Sequence, residues 1–279
     1  MKCVVFGAGT MGCGIAEVLV RSGMAVQLVD RSAELVEAGV IRLRTSLERA
    51  VSRGKLESTD CLSLLDTNSL EVSEADLVIE AVVEDMAVKK ELLAPLSVRF
   101  PEALLASNTS SLSLTEMAAS CERPERVIGL HFFNPPPVME LLEVVVAEQT
   151  GADTVERAVE LAALWGKTPI VVKDVPGFAS SRLGIILGME AIRMLESGVA
   201  SARDIDRAME LGYRHPMGPL KLTDLVGLDV RLAIADHLTR EIGPQFSPPP
   251  LLRRLVRAGR LGKKTGRGFY RWEGNEAHE

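Results

Sequence analysis

The sequence predicts an α/β protein: a mostly parallel sheet domain over residues 1–175, then a smaller all-helical domain over 176–279. Three observations carry this. Apolar runs of strand length alternate with amphipathic helical stretches through the first 175 residues, the pattern of a parallel sheet with crossover helices. A glycine-rich turn sits directly between the first apolar run and the first helical pattern. Beyond the break Asp174-Val175-Pro176-Gly177 the strand pattern stops, and helical signals dominate from 178 to 258.

In chain order, residues 2–6, 25–29, 76–81, 104–106 and 127–132 read as strands, rich in Val, Ile and Leu and separated by helical periodicity. Two more apolar runs, 141–146 and 169–172, have short connections that permit antiparallel additions at the sheet edge. In the second part, Ser201-Ala202-Arg203-Asp204 has the spacing of a helix cap ahead of Ile205 and Met209. Pro216, Gly218 and Pro219 punctuate a loop before a helical run over 224–242, and Pro248 to Pro250 open another helix through Val256.

The glycine turn is Gly7-Ala8-Gly9-Thr10-Met11-Gly12. Its glycines suit a tight turn, close backbone approach to a pyrophosphate and helix–strand packing, and the helix start offers amides to phosphate. Asp30 ends the second strand, where a carboxylate can bind ribose hydroxyls. Strand, turn, helix, strand and acid in this order predict a Rossmann-type dinucleotide site. Asp30 would repel a 2′-phosphate and favours NAD; Arg31 beside it could meet that phosphate, so NADP is the lesser alternative.

A second feature lies at 131–143. His131 and Glu143 stand on two apolar runs joined by Pro135-Pro136-Pro137, equidistant from Pro137. A hairpin folding there sets the two side chains opposite one another, so that a carboxylate can fix the imidazole's tautomer and raise its basicity. The competing reading is a histidine that merely ends a buried strand.

Composition narrows the remaining possibilities. The formal charge of −6 argues against a nucleic-acid surface. Residues 41–57 depart from it, with Arg42, Arg44, Arg49, Arg53 and Lys55 against Glu48 and Glu57, and the tail over 248–271 is also basic. These are places for an anionic ligand. Cys3, Cys13, Cys61 and Cys121 lack paired metal-ligand spacing and read as buried small hydrophobes in a reducing cytosol. The first strand begins at once, which leaves no room for a signal peptide, and no apolar run has membrane-spanning length. A cytoplasmic protein is expected.

With Gly7 to Gly12, Ser107-Asn108-Thr109-Ser110-Ser111 and His131-Phe132-Phe133-Asn134-Pro135, the chain resembles the 3-hydroxyacyl-CoA dehydrogenases, most of all the bacterial 3-hydroxybutyryl-CoA branch. The likeness continues through Pro176-Gly177-Phe178, Pro216 to Pro219 and residues 262–270, so it covers nearly the whole chain. It implies an enzyme of fatty acid metabolism that oxidises an (S)-3-hydroxyacyl-CoA with NAD, and a helical domain that also forms a homodimer. His131 would take the hydroxyl proton and Glu143 would orient His131. Ser110 and Asn134 would position the thioester and nicotinamide, while Glu84, Lys89 and Lys264 carry over as cofactor contacts. Lys55 would meet the adenosine end of CoA. Taken alone, Ser110 could equally be a helix cap and Asn134 a turn residue.

One position departs from the family pattern: Ser181 stands where an asparagine precedes the arginine. A shorter hydroxyl in place of an amide weakens a direct substrate contact, or makes it water-mediated. A free 3-hydroxy acid as substrate, or a nucleotide-binding scaffold without turnover, are the competing readings.

Overall fold

The computed structural model describes residues 1–67 and 72–278. The chain divides into two compact units, Met1–Val175 and Pro176–Glu279.

In the first unit, strands β1 (Lys2–Phe6), β2 (Ala25–Val29), β3 (Leu65–Asp66), β4 (Leu77–Glu80), β5 (Leu104–Ser107), β6 (Val127–Phe132), β7 (Leu141–Val146) and β8 (Thr168–Lys173) form one sheet. Its order is β3-β2-β1-β4-β5-β6-β7-β8. Pairing is parallel from β3 through β6. Helices α1 (Thr10–Arg21), α2 (Ala33–Ser52), α3 (Met86–Arg99), α4 (Leu114–Ala118) and α5 (Ala152–Leu164) occur along the connections. Strand order reverses between β1 and β4, and the carboxyl ends of such strands are where open α/β sheets take ligands. Strands β4, β5 and β6 are buried along their whole length, which explains their uninterrupted apolar runs.

The sheet edge differs in one respect from the antiparallel additions expected there. β7 is antiparallel to β6, as its short connection allows. β8 is parallel to β7, because α5 carries the chain back across the sheet. A crossover helix restores the strand direction, whereas a hairpin reverses it. The two-residue strand β3 is too short to leave a periodic signal.

The second unit contains α6 (Ser180–Glu196), α7 (Ala202–Arg207), α8 (Pro219–Val226), α9 (Leu228–Glu241), α10 (Pro250–Arg257) and a small hairpin of β9 (Arg271–Glu273) and β10 (Glu276–His278). Ser201 caps α7 by accepting from the Asp204 amide. The run over 224–242 is two helices, broken at Gly227, whose φ of 105° few other residues adopt. Ile185, Met189, Ile192, Leu220, Leu238 and Leu252 are fully buried in this unit's core. Buried carboxylates tie down its tail. Asp224 accepts from the Phe269 and Tyr270 amides and the Trp272 indole, and Asp206 accepts from the Tyr270 hydroxyl and the Leu220 and Lys221 amides. A Cβ at Gly268 would lie 2.0 Å from Asp224 Oδ1, so only glycine allows this approach.

Candidate active site

The glycine turn leaves β1 and enters α1. Gly7 has φ of 104°, and a Cβ there would sit 2.5 Å from the Ala81 carbonyl oxygen; a Cβ at Gly12 would overlap the Gly7 oxygen at 1.7 Å. Backbone packs against backbone at both positions. At Gly9, by contrast, a Cβ would meet nothing within 4 Å, which leaves the amide end of α1, with Thr10 and Met11 in its first turn, open to an incoming phosphate. Asp30 follows β2, and its Oδ2 accepts from the Ala8 amide at 2.7 Å. Arg42 of α2 donates to the Ala8 carbonyl at 2.9 Å. That arginine of the basic segment thus clamps the glycine turn. Lys55, at the end of the same segment, is exposed, as is Arg31.

His131 and Glu143 are direct register partners across β6 and β7. His131 Nδ1 lies 2.7 Å from Glu143 Oε2; the glutamate is fully buried and the histidine keeps 7 % exposure. A carboxylate has no proton to give, so Nδ1 carries the hydrogen and Nε2 is the acceptor nitrogen. The Phe133 ring lies against the imidazole at a centroid distance of 4.6 Å. At the bend, Asn134 is exposed and Pro136 packs on α1, where a Cβ at Gly14 would come within 2.6 Å of it. A cleft of about 300 Å³ opens there, lined by Thr10, Arg42, Ser46, Arg49, Asn134 and Pro137.

The serine-rich turn after β5 is built around one carboxylate. Glu84 Oε1 accepts from the hydroxyls of Thr109, Ser110 and Ser111 and from the Ser110 and Ser111 amides. Ser113, not Ser110, caps α4. Lys89, 1 % exposed, lies 2.6 Å from Glu80 Oε1 and 3.2 Å from Glu84 Oε2. Glu80 also accepts from the Val82 amide and the Ser107 hydroxyl. Burial pushes the Glu84 carboxyl up, but Lys89 and the hydrogen bonds from the turn outweigh it and hold it below the ordinary value. Sequence reading missed Glu80 and Asn108, whose Oδ1 accepts from the Phe132 amide beside His131. An acid at the end of an otherwise apolar strand was the signal for Glu80.

Lys264 and Ser181 belong to the second unit. Lys264 pairs with Asp229 at 2.7 Å, and Ser181 lies in the first turn of α6. Among the described residues no cluster of three potential metal ligands occurs, and no helix is long and apolar enough to cross a membrane. All four cysteines are free; Cys3 and Cys13 are buried, Cys61 and Cys121 half-buried.

A parallel sheet with a glycine turn at its switch point and a buried histidine–carboxylate pair near a strand's carboxyl end defines an oxidoreductase of the dinucleotide-binding class. The chain belongs to the 3-hydroxyacyl-CoA dehydrogenase family: its NAD binding domain matches residues 2–175 and its C-terminal domain residues 177–272. It is 48 % identical over 275 residues to 3-hydroxybutyryl-CoA dehydrogenase of Mycobacterium tuberculosis, covering 95 % of this chain and 96 % of that one. It is 45 % identical to 3-hydroxyadipyl-CoA dehydrogenase of Escherichia coli, over 96 % of this chain and 58 % of that longer one. Among solved structures, (S)-3-hydroxybutyryl-CoA dehydrogenase of Ralstonia eutropha superposes with a TM-score of 0.92 at 39 % identity, covering 98 % and 99 % of the two chains. The cofactor is therefore a nicotinamide dinucleotide.

Proposed function

We propose that this chain oxidises the 3-hydroxyl of an (S)-3-hydroxyacyl-CoA to the 3-oxoacyl-CoA, with NAD as cofactor and His131 as general base. The observation that carries the reading is the 2.7 Å contact from His131 Nδ1 to buried Glu143, near the carboxyl end of a strand in the sheet that bears the glycine turn. Bound nicotinamide supplies the acceptor for the C3 hydride. The protein handles the proton: His131 Nε2 takes it from the hydroxyl, and Glu143 stabilises the imidazolium that results. Ser110 and Asn134 hold the thioester side and the nicotinamide. Glu84 moulds the turn that presents Ser110, and Lys89 holds Glu84 from beneath.

Asp30 supports NAD over NADP. Its carboxylate, seated on the Ala8 amide, places negative charge where an adenosine 2′-phosphate would come. Lys55 and the basic face of α2 suit the phosphates of CoA. The relatives' names support a thioester substrate over a free hydroxy acid. Exposed Leu183, Val199, Leu211 and Tyr213 of the second unit support a homodimer formed through it; light scattering that finds only monomer would remove that part. Four free cysteines fit a reducing, cytoplasmic setting.

The test is NADH formation with 3-hydroxybutyryl-CoA and with free 3-hydroxybutyrate. The native protein is expected to turn over the thioester. His131→Gln and Glu143→Gln should each lower kcat about 10²- to 10⁴-fold with KM little changed. Full activity in His131→Gln would overturn the mechanism, and activity on the free acid alone would overturn the substrate.

A further inference from the structure

The proline bend of the first unit cannot hold itself. Pro135, Pro136 and Pro137 bring carbonyls but no N–H, so the segment has more acceptors than donors. The amides of Val138 and Met139 both turn to the Pro135 oxygen. The Pro136 and Met139 oxygens are met from outside: the Lys167 ammonium donates to them at 2.6 and 2.8 Å. Thr168, the next residue, donates its amide to the Glu140 oxygen at 2.8 Å. Lys167 is itself well anchored. It follows Gly166, whose φ of 67° ends α5, and its amide closes onto the Ala162 oxygen at 2.9 Å. Burial, and after it the charge of Arg21 on α1, pushes the ammonium below the ordinary 10.5, against the opposing pull of Glu140. Among the described residues no acid forms an ion pair with it. This half-buried lysine spends its donors on the shape of the bend.

We infer that Lys167 is a positioning residue: it fixes the bend that walls the cleft, and so sets the affinity for the acyl-CoA without touching the reacting atoms. This rests on the proposed thioester oxidation and adds the element that shapes the substrate's seat. Asn134 and Pro135 to Pro137 line the cleft of about 300 Å³ together with Arg42, Ser46 and Arg49 of the basic α2. Lys167 does not line it; it reaches the bend from the turn between α5 and β8. The His131–Glu143 pair is held independently. The β6–β7 ladder keeps register from Gly129 with Val145 to Phe132 with Leu142, and the carbonyls gripped by Lys167 lie beyond its end. Without the ammonium the base stays in place while the wall loosens. The bound ligand must then order the bend itself, so the loss falls on KM and not on kcat.

Lys167→Met nearly keeps the side-chain length and removes the donors, whereas Lys167→Arg keeps donors for both carbonyls. In NADH formation with 3-hydroxybutyryl-CoA, Lys167→Met should raise KM about tenfold or more and change kcat less than about threefold. The NAD dissociation constant, read by calorimetry, should be unchanged, since the glycine turn is not touched. Lys167→Arg should recover most of the lost affinity. An unchanged KM in Lys167→Met overturns the inference. So does a fall in kcat at constant KM, which would assign Lys167 to the support of the base, or an equal loss in the Met and Arg variants. Should Lys167→Met fail to fold, Lys167→Gln, which can still donate to one carbonyl, carries the same test. Calorimetry with acetoacetyl-CoA separates this inference from the reaction. Weaker binding in Lys167→Met, with no NADH formed even by the native protein, would sink the reaction and leave the positioning role standing. Native turnover with equal acetoacetyl-CoA affinity in both would do the reverse.

Discussion

Lys89 shows how a buried charge can serve a site from beneath. Its amine is shared between Glu80 and Glu84, both of which also accept hydrogen bonds from the turns around them. Lys89→Met keeps the volume but leaves the fully buried Glu80 without its counter-charge. It should lower unfolding stability by about 3–5 kcal/mol, read by denaturant titration. A loss below about 1 kcal/mol would mean that solvent already reaches Glu80. This network was poorly legible in the sequence. The resemblance marked Glu84 and Lys89 as cofactor contacts, yet nothing along the chain shows that an acid at 80 lies on the same amine. Charge partners nine residues apart leave no periodic trace. His131 and Glu143 were legible for the opposite reason: strand register is set by the bend, and the bend is marked by three prolines.

The glycine turn, α1 and the proline bend form one packed assembly. Gly14 of α1 lies under Pro136, with 2.6 Å from a built Cβ to the ring. Gly14→Val must therefore shift either α1 or the bend between His131 and Glu143. Stopped-flow and steady-state measurements should show weaker NAD binding and at least a tenfold loss in kcat together; unchanged values for both would show the bend to be pliant. At this scale most strands were legible, because buried parallel strands are continuous apolar runs. The direction of β8 was not. It depends on α5 crossing the sheet, and a helix of ordinary length can occur in either kind of connection.

Over the whole molecule the two units should answer acid in opposite directions. Burial pushes Asp206 and Asp224 up from the ordinary 3.8. Between 3.8 and their raised values the folded chain binds more protons than the unfolded one, so stability falls as pH rises through that window. Glu84 is held below 4.5; its contribution is complete above 4.5 and is lost as pH falls through its lower folded value. Hydrogen exchange, corrected for intrinsic rates, should show protection at residues 269–272 growing as pH falls toward 3.8. Protection at 107–111 should fall only below about 4.5. A tail that loosens as pH falls toward 3.8 would contradict the first half. The division near residue 175 was legible from the change in pattern alone. The tail's docking was not, since its anchors sit 46 and 64 residues from Tyr270.

The Glu84 cradle also bears on transplantation. Because one side chain collects five donors from residues 109–111, the shape of that turn is stored outside it, in the strand end at 80 and the helix at 89. A chimera that grafts 107–111 onto another dinucleotide scaffold carries the residues without their mould. Only a graft that moves Glu80, Glu84 and Lys89 with the turn preserves the presentation of Ser110, so the heritable module here is a triad of charges together with the turn they shape.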